Sequence, residues 1–119
     1  MSYLYKNDYF ILPIGVVNFT TGKNAMFGNV FNCWEESENE TYLLCKSDAG
    51  KFRAVITCDN IMNTRKYHPI GDRISFRHDQ TFAFIGTYEV VGLFPNTKDG
   101  LLAMKELSGK KSCPFATFK

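Results

Sequence analysis

The chain has 119 residues, of which 45% are apolar and 22% charged, and its formal net charge is +2. That length bounds it to one globular domain, residues 1–119, with apolar content enough for a single core that no metal or disulfide has to staple. So small a net charge argues neither for a protein that wraps nucleic acid by bulk electrostatics nor for an acidic decoy.

The opening residues, MSYLYKNDYFILPIGVV, have neither the basic start nor the uninterrupted apolar run of a secretory signal, since Asp8 and Pro13 interrupt them. No run is long enough for a membrane span. A cytoplasmic protein is the expectation, with no membrane partner. In that compartment the four cysteines, Cys33, Cys45, Cys58 and Cys113, read as reduced thiols. The acceptor patterns at Asn18 and Asn39 then carry no glycan.

Residues 9–19, YFILPIGVVNF, are rich in β-branched and aromatic side chains. Pro13 removes a ladder donor, so the segment reads as an edge or bulged strand. Phe27, Val30, Phe31 and Trp34 then recur at spacings of three and four, which predicts a helix over 27–34 despite Gly28. The acidic run EESENE ends that pattern and reads as a solvated loop or the fraying end of that helix. TYLLCK and KFRAVITC flank SDAG, whose Asp and Gly supply turn chemistry, predicting paired strands over 41–46 and 51–58. Asp59 suits the N-cap of a short helix carrying Ile61, Met62 and Arg65, and Pro69 with Gly71 ends it.

In DRISFRH, Ile74 and Phe76 alternate with Arg73, Ser75 and Arg77, as in a half-buried strand with its basic residues on the wet face. The partner strand, 82–94, is too long to be flat, and Gly86 and Gly92 are natural sites for bulges. Phe76, Phe82 and Phe84 are expected to join the buried surface. Residues 101–107 read as a strand paired back through PNTKDG, the alternative being a short helix on Leu101, Met104 and Leu107. CPFATFK reads as a last strand closing against the first. The predicted fold is α+β: a predominantly antiparallel β-barrel or strongly curved sheet with one or two short helices.

Motifs for catalysis are missing. No two cysteines or histidines lie at the two-to-five spacing that fixes half of a zinc tetrahedron, and the thiols read as core residues. No glycine-rich phosphate loop appears, and the four glutamates lack the spacing and turn glycine of a calcium loop. The expectation is no enzyme, no metal and no cofactor. What remains is a basic strip with interleaved aromatics: Arg65, Lys66, Tyr67, His68, then Arg73, Arg77 and His78. Arginine and lysine release counterions from phosphates while aromatic faces stack on exposed bases, a combination that suits single-stranded nucleic acid. The plainer reading of such a strip is the wet face of a sheet.

The stretch IGDRISFRHDQTFAFIGTYEVVGLF resembles the middle of PUA-like barrels, the fold group of the EVE, ASCH and SRA domains. The resemblance lies in the GDR turn into an I-x-F strand, followed by Phe84, Ile85, Gly86, Tyr88, Val90 and Val91. It implies a barrel that binds nucleic acid without catalysis, often holding a modified or extruded base in an aromatic pocket. Trp34 and Tyr67 would supply aromatic faces, and Arg77 or Ser75 hydrogen-bond donors. The competing class is a small interaction protein, of the kind phages and other mobile elements encode. It would inhibit or bridge a larger protein through the acidic loop of Glu35, Glu36, Glu38 and Glu40. An aromatic pocket flanked by arginines favours the first class; an exposed apolar patch beside the glutamates favours the second.

Overall fold

The computed structural model describes the backbone of residues 8–20, 23–26, 29–32 and 37–118, with side chains over 8–20 and 39–118. Its elements are β1 (Asp8–Asn18), β2 (Lys23–Met26), β3 (Asn29–Asn32), β4 (Ser37–Ser47), β5 (Phe52–Thr57), α1 (Ile61–Tyr67), β6 (Arg73–His78), β7 (Phe84–Asn96), α2 (Lys98–Ser108) and β8 (Ser112–Phe118). Six strands pair in the order β1-β6-β7-β4-β5-β8, and β8 pairs back onto β1, closing a ring. The β2–β3 hairpin hangs from the far end of β1 through Val16↔Ala25 and Val17↔Asn24.

The fold is mostly strand with two helices, and the sheet is mixed. β1–β6 and β5–β8 are parallel, and the other four ring contacts are antiparallel. The antiparallel expectation came from hairpin turns, which encode direction only between neighbours in sequence. β1–β6 and β5–β8 join strands far apart in the chain, where no turn residue specifies direction.

Alternation along the strands sorts the apolar residues into two layers. Ile11, Leu43, Val55, Phe76, Val90 and Ala116 belong to one cluster to which all six ring strands contribute, so it fills the ring's interior. Val17, Tyr42, Leu44, Ala54 and Phe115 face the other way and pack with Leu101 and Met104 of α2. Bulges keep these layers in register. The β6–β7 ladder shifts between Phe76 and Arg77, opposite Gly86 and Phe84. The β4–β7 ladder shifts between Leu44 and Cys45, opposite Gly92 and Val90. Both lie beside the glycines that the sequence marks. β1 is bulged between Pro13 and Gly15 but has strands on both sides, so it is no edge.

Several expectations are corrected. Residues 29–32, placed in a helix from their spacing, form β3, pairing Phe31 with Asn24 and Val30 with Ala25. A four-residue apolar run satisfies either period, and hairpin pairing decides it. Trp34 and Cys33 lie outside the described residues. Residues 101–107 belong to α2, not a strand. Thr97 accepts the Gly100 N–H as N-cap, and Gly109 at φ 68° closes the C-terminus. Gly100 is required inside this helix because any Cβ there would run into the Pro95 carbonyl oxygen. The N-cap of α1 is Asn60, whose side chain accepts from the Asn63 N–H, while Asp59 Oδ1 accepts from the Asn60 N–H and Asn63 Nδ2. Phe76 is fully buried, but Phe82 and Phe84 are exposed. Phe82 falls in the turn before β7 at φ 59°, and the Phe76/Arg77 bulge comes just before Phe84 pairs with Arg77.

Cys45, Cys58 and Cys113 are free thiols. Burial pushes Cys45 and Cys113 up to about 12, whereas Cys58 is exposed. Because the thiolate is the reactive form, alkylation of the native protein is expected to label Cys58 quickly and to spare Cys45 and Cys113 until unfolding. Peptide mass mapping over a time course checks this; Cys45 labelling as fast as Cys58 would contradict the buried placement.

Candidate nucleic-acid interface

The helix α1 leans on the ring where β1 starts and β5 and β8 end. It encloses with them an open recess of about 260 Å³, lined by Tyr9, Thr57, Asp59, Thr64, Tyr67, His68 and Phe118. These residues come from β1, β5, β8 and the β5–β6 connection, so no local motif announces the site. The recess lies just below the about 300–1,000 Å³ of drug-sized pockets, which suits one planar ring rather than an extended ligand.

Its wall is aromatic. The His68 imidazole stacks on Phe118 with centroids 5.2 Å apart and planes 6° apart, and Tyr9 meets His68 edge-on at 5.0 Å. Tyr67 stands at the rim, 71% exposed. The sequence leaves His68 at this spot because Pro69 forbids another helical turn. His68 therefore becomes the C-cap of α1, donating its N–H to the Thr64 carbonyl at 2.8 Å. Burial pushes the His68 pKa below the ordinary 6.5, against an upward pull from Asp72. Its Nδ1 is buried with no hydrogen-bond partner among the described residues.

Polar groups complete the recess. The Thr57 and Thr64 hydroxyls lie 3.2 Å apart, and Thr57 Oγ1 also donates to the Thr41 carbonyl at 3.3 Å. Asp59 adds a carboxylate that its own turn holds still. The recess thus combines flat apolar faces, two hydroxyls and one acceptor, with Arg65 and Lys66 exposed beside it on the last turn of α1.

The other residues singled out from sequence do not converge there. Arg73 pairs with Asp48 at 3.3 Å, both well exposed. Arg77 is half-buried: its Nε donates to Asp8 Oδ2 at 2.8 Å, its Nη1 donates to the Phe82 carbonyl at 3.0 Å, and its guanidinium lies over the Phe84 ring. His78 Nδ1 accepts from the Gln80 N–H at 3.2 Å within the turn. Ser75 is hydrogen-bonded across the strands to Thr87 at 2.9 Å. Trp34, Glu35 and Glu36 lie outside the described residues, as does the side chain of Glu38; residues 37–40, expected in an acidic loop, instead begin β4, where pairing with β7 holds the backbone extended, and Glu40 accepts from Asn96 Nδ2 at 3.1 Å. Sequence reasoning missed Tyr9, Thr57, Thr64 and Phe118 altogether and read Asp59 only as a helix cap; of the basic strip it singled out, Tyr67 and His68 line the recess.

No protein family, curated protein or solved structure matches the chain. Among the described residues, no cluster of His, Cys, Asp and Glu is placed to hold a metal ion, and no helix is long and apolar enough to cross a membrane.

Proposed function

We propose that the chain is a non-catalytic nucleic-acid-binding domain of the PUA-like barrel kind, taking a single-stranded, flipped or modified base into the recess at Tyr67 and His68. The observation that carries this reading is the stacked His68–Phe118 wall, with exposed Tyr67 at its rim and Arg65 and Lys66 alongside. A base entering edge-first meets an aromatic face, a stationary carboxylate and two hydroxyls. An exocyclic amino group, as on cytosine or adenine, is the donor that Asp59 suits. Arg65 and Lys66 supply phosphate contacts at the entrance.

A second reading rests on Phe10, Phe82 and Phe84, exposed by 37%, 62% and 56%, with Phe10 and Phe82 in edge-to-face contact at 5.3 Å. Exposed aromatics of this kind favour a protein-docking surface.

Titration with labelled single-stranded, duplex and base-modified oligonucleotides at low salt separates the two. Preferential binding of single strands or modified duplexes supports the base reader. Failure to bind any of them, together with a protein partner lost on Phe82→Ser, supports the docking surface.

A further inference from the structure

A second charged feature lies at the opposite ends of the two strands that border the aromatic recess. There, an opening of about 300 Å³ is lined by residues including Lys51, Phe52 and Lys110, and a neighbouring one of about 410 Å³ by residues including Lys105, Lys110 and Lys111. Lys110 belongs to both, and Lys46 sits over the Phe52 ring at 5.5 Å. Lys46, Lys51, Lys110 and Lys111 are exposed and Lys105 is half-buried. Among the described residues, none of these ammonium groups is in a salt bridge, and Glu106 is the single carboxylate in either lining.

Helix electrostatics explain part of the cluster, because Lys105, Lys110 and Lys111 sit at the partly negative end of α2. They do not explain Lys46 and Lys51, which come from the β4–β5 hairpin and gain nothing from that helix. Two left-handed glycines, Gly50 at φ 82° and Gly109 at φ 68°, bend the hairpin turn and the helix end, and each leaves the space beside its Cα open. Ser112 adds a hydroxyl. Unpaired ammoniums on two converging turns, spread over two shallow openings, fit a chain of phosphates better than one compact anion.

We infer that this lysine cluster is a binding site for the phosphodiester backbone of a single strand whose base occupies the recess at the other end of β5 and β8. The inference rests on the base-reader function proposed above. β5 and β8 run parallel between the two features, from Phe52 and Cys113 to Thr57 and Phe118. Five residues of strand cover about 17 Å. A few nucleotides cross that length, within the about 4–16 that small β domains occupy on single strands.

The test compares the wild type with Lys51→Gln/Lys110→Gln/Lys111→Gln, using a labelled single-stranded oligonucleotide of about ten nucleotides, titrated from low to moderate salt. The substitutions fall on exposed side chains, and an unchanged melting temperature verifies folding. The expected result is at least about tenfold weaker binding at low salt and a log–log salt slope flatter by about two, given about 0.7 per phosphate contact on single strands. The corresponding Lys→Arg variant is expected to bind like the wild type. Wild-type affinity and salt slope in the glutamine variant overturn this inference and leave the recess reading intact. No binding by the wild type to any strand overturns both.

Discussion

Phe76→Ala is expected to destabilise the protein by about 3–5 kcal/mol, the range for removing a buried aromatic from a packed core. Phe76 is fully buried, meets Tyr88 at 5.5 Å and Phe118 at 6.4 Å between ring centroids, and sits in the cluster to which all six ring strands contribute. The cavity opens where neighbours from several strands cannot all collapse into it. Against a total stability of about 5–15 kcal/mol for a domain of this kind, the loss lowers the melting temperature by about 10–20 °C. Phe84→Ala, two residues before the bulge partner Gly86, is expected to cost under about 1 kcal/mol, because its ring is 56% exposed and loses little more than its contact with Arg77. Thermal or urea unfolding of both variants checks the pair. Equal losses would mean that the β6–β7 register is wrong by one residue, since a one-residue slip exchanges the faces.

The second large effect is on binding. Tyr67→Ala is expected to weaken single-strand affinity by about 5- to 150-fold, the equivalent of the about 1–3 kcal/mol that one base–aromatic stack contributes. Stability should change by no more than about 0.5 kcal/mol, because the Tyr67 ring is 71% exposed at the end of α1. Met62→Ala is the matched control: it removes another exposed side chain from the same helix, 69% exposed, outside the recess lining. Wild-type affinity in Tyr67→Ala, or an equal loss in Met62→Ala, would remove the stacking role.

Much of the ring was legible because its signals are local. The SDAG turn, the alternation of Ile74 and Phe76, and the two glycines that mark bulges in β7 each act over a few residues. Where the sequence misled, the local signal was ambiguous or competed with another. Val30 and Phe31 fit a helical spacing as well as a hairpin. For α2, the decisive signs were the flanking Thr97 and Gly109 rather than the apolar run between them. The candidate site was the least legible part. Tyr67 and His68 adjoin in sequence, but Tyr9 and Phe118 reach them only through ring closure, and the β1–β8 pairing that brings them together joins opposite ends of the chain. The basic strip was visible as composition, yet Asp8 and Asp48, distant in sequence, neutralise Arg77 and Arg73. The lysines at the other end are scattered over more than sixty residues, and only Lys110 and Lys111 adjoin.

Binding in the aromatic recess is tested most directly by nuclear magnetic resonance, titrating a short single-stranded oligonucleotide into isotope-labelled protein and following every backbone amide and aromatic ring. The expected result is saturable shifts centred on Tyr9, Thr57, Asp59, Tyr67, His68 and Phe118, with ring-current changes on His68 and Phe118 as a base stacks against them. Shifts confined to Phe10, Phe82 and Phe84, or no saturable shift anywhere, would contradict it.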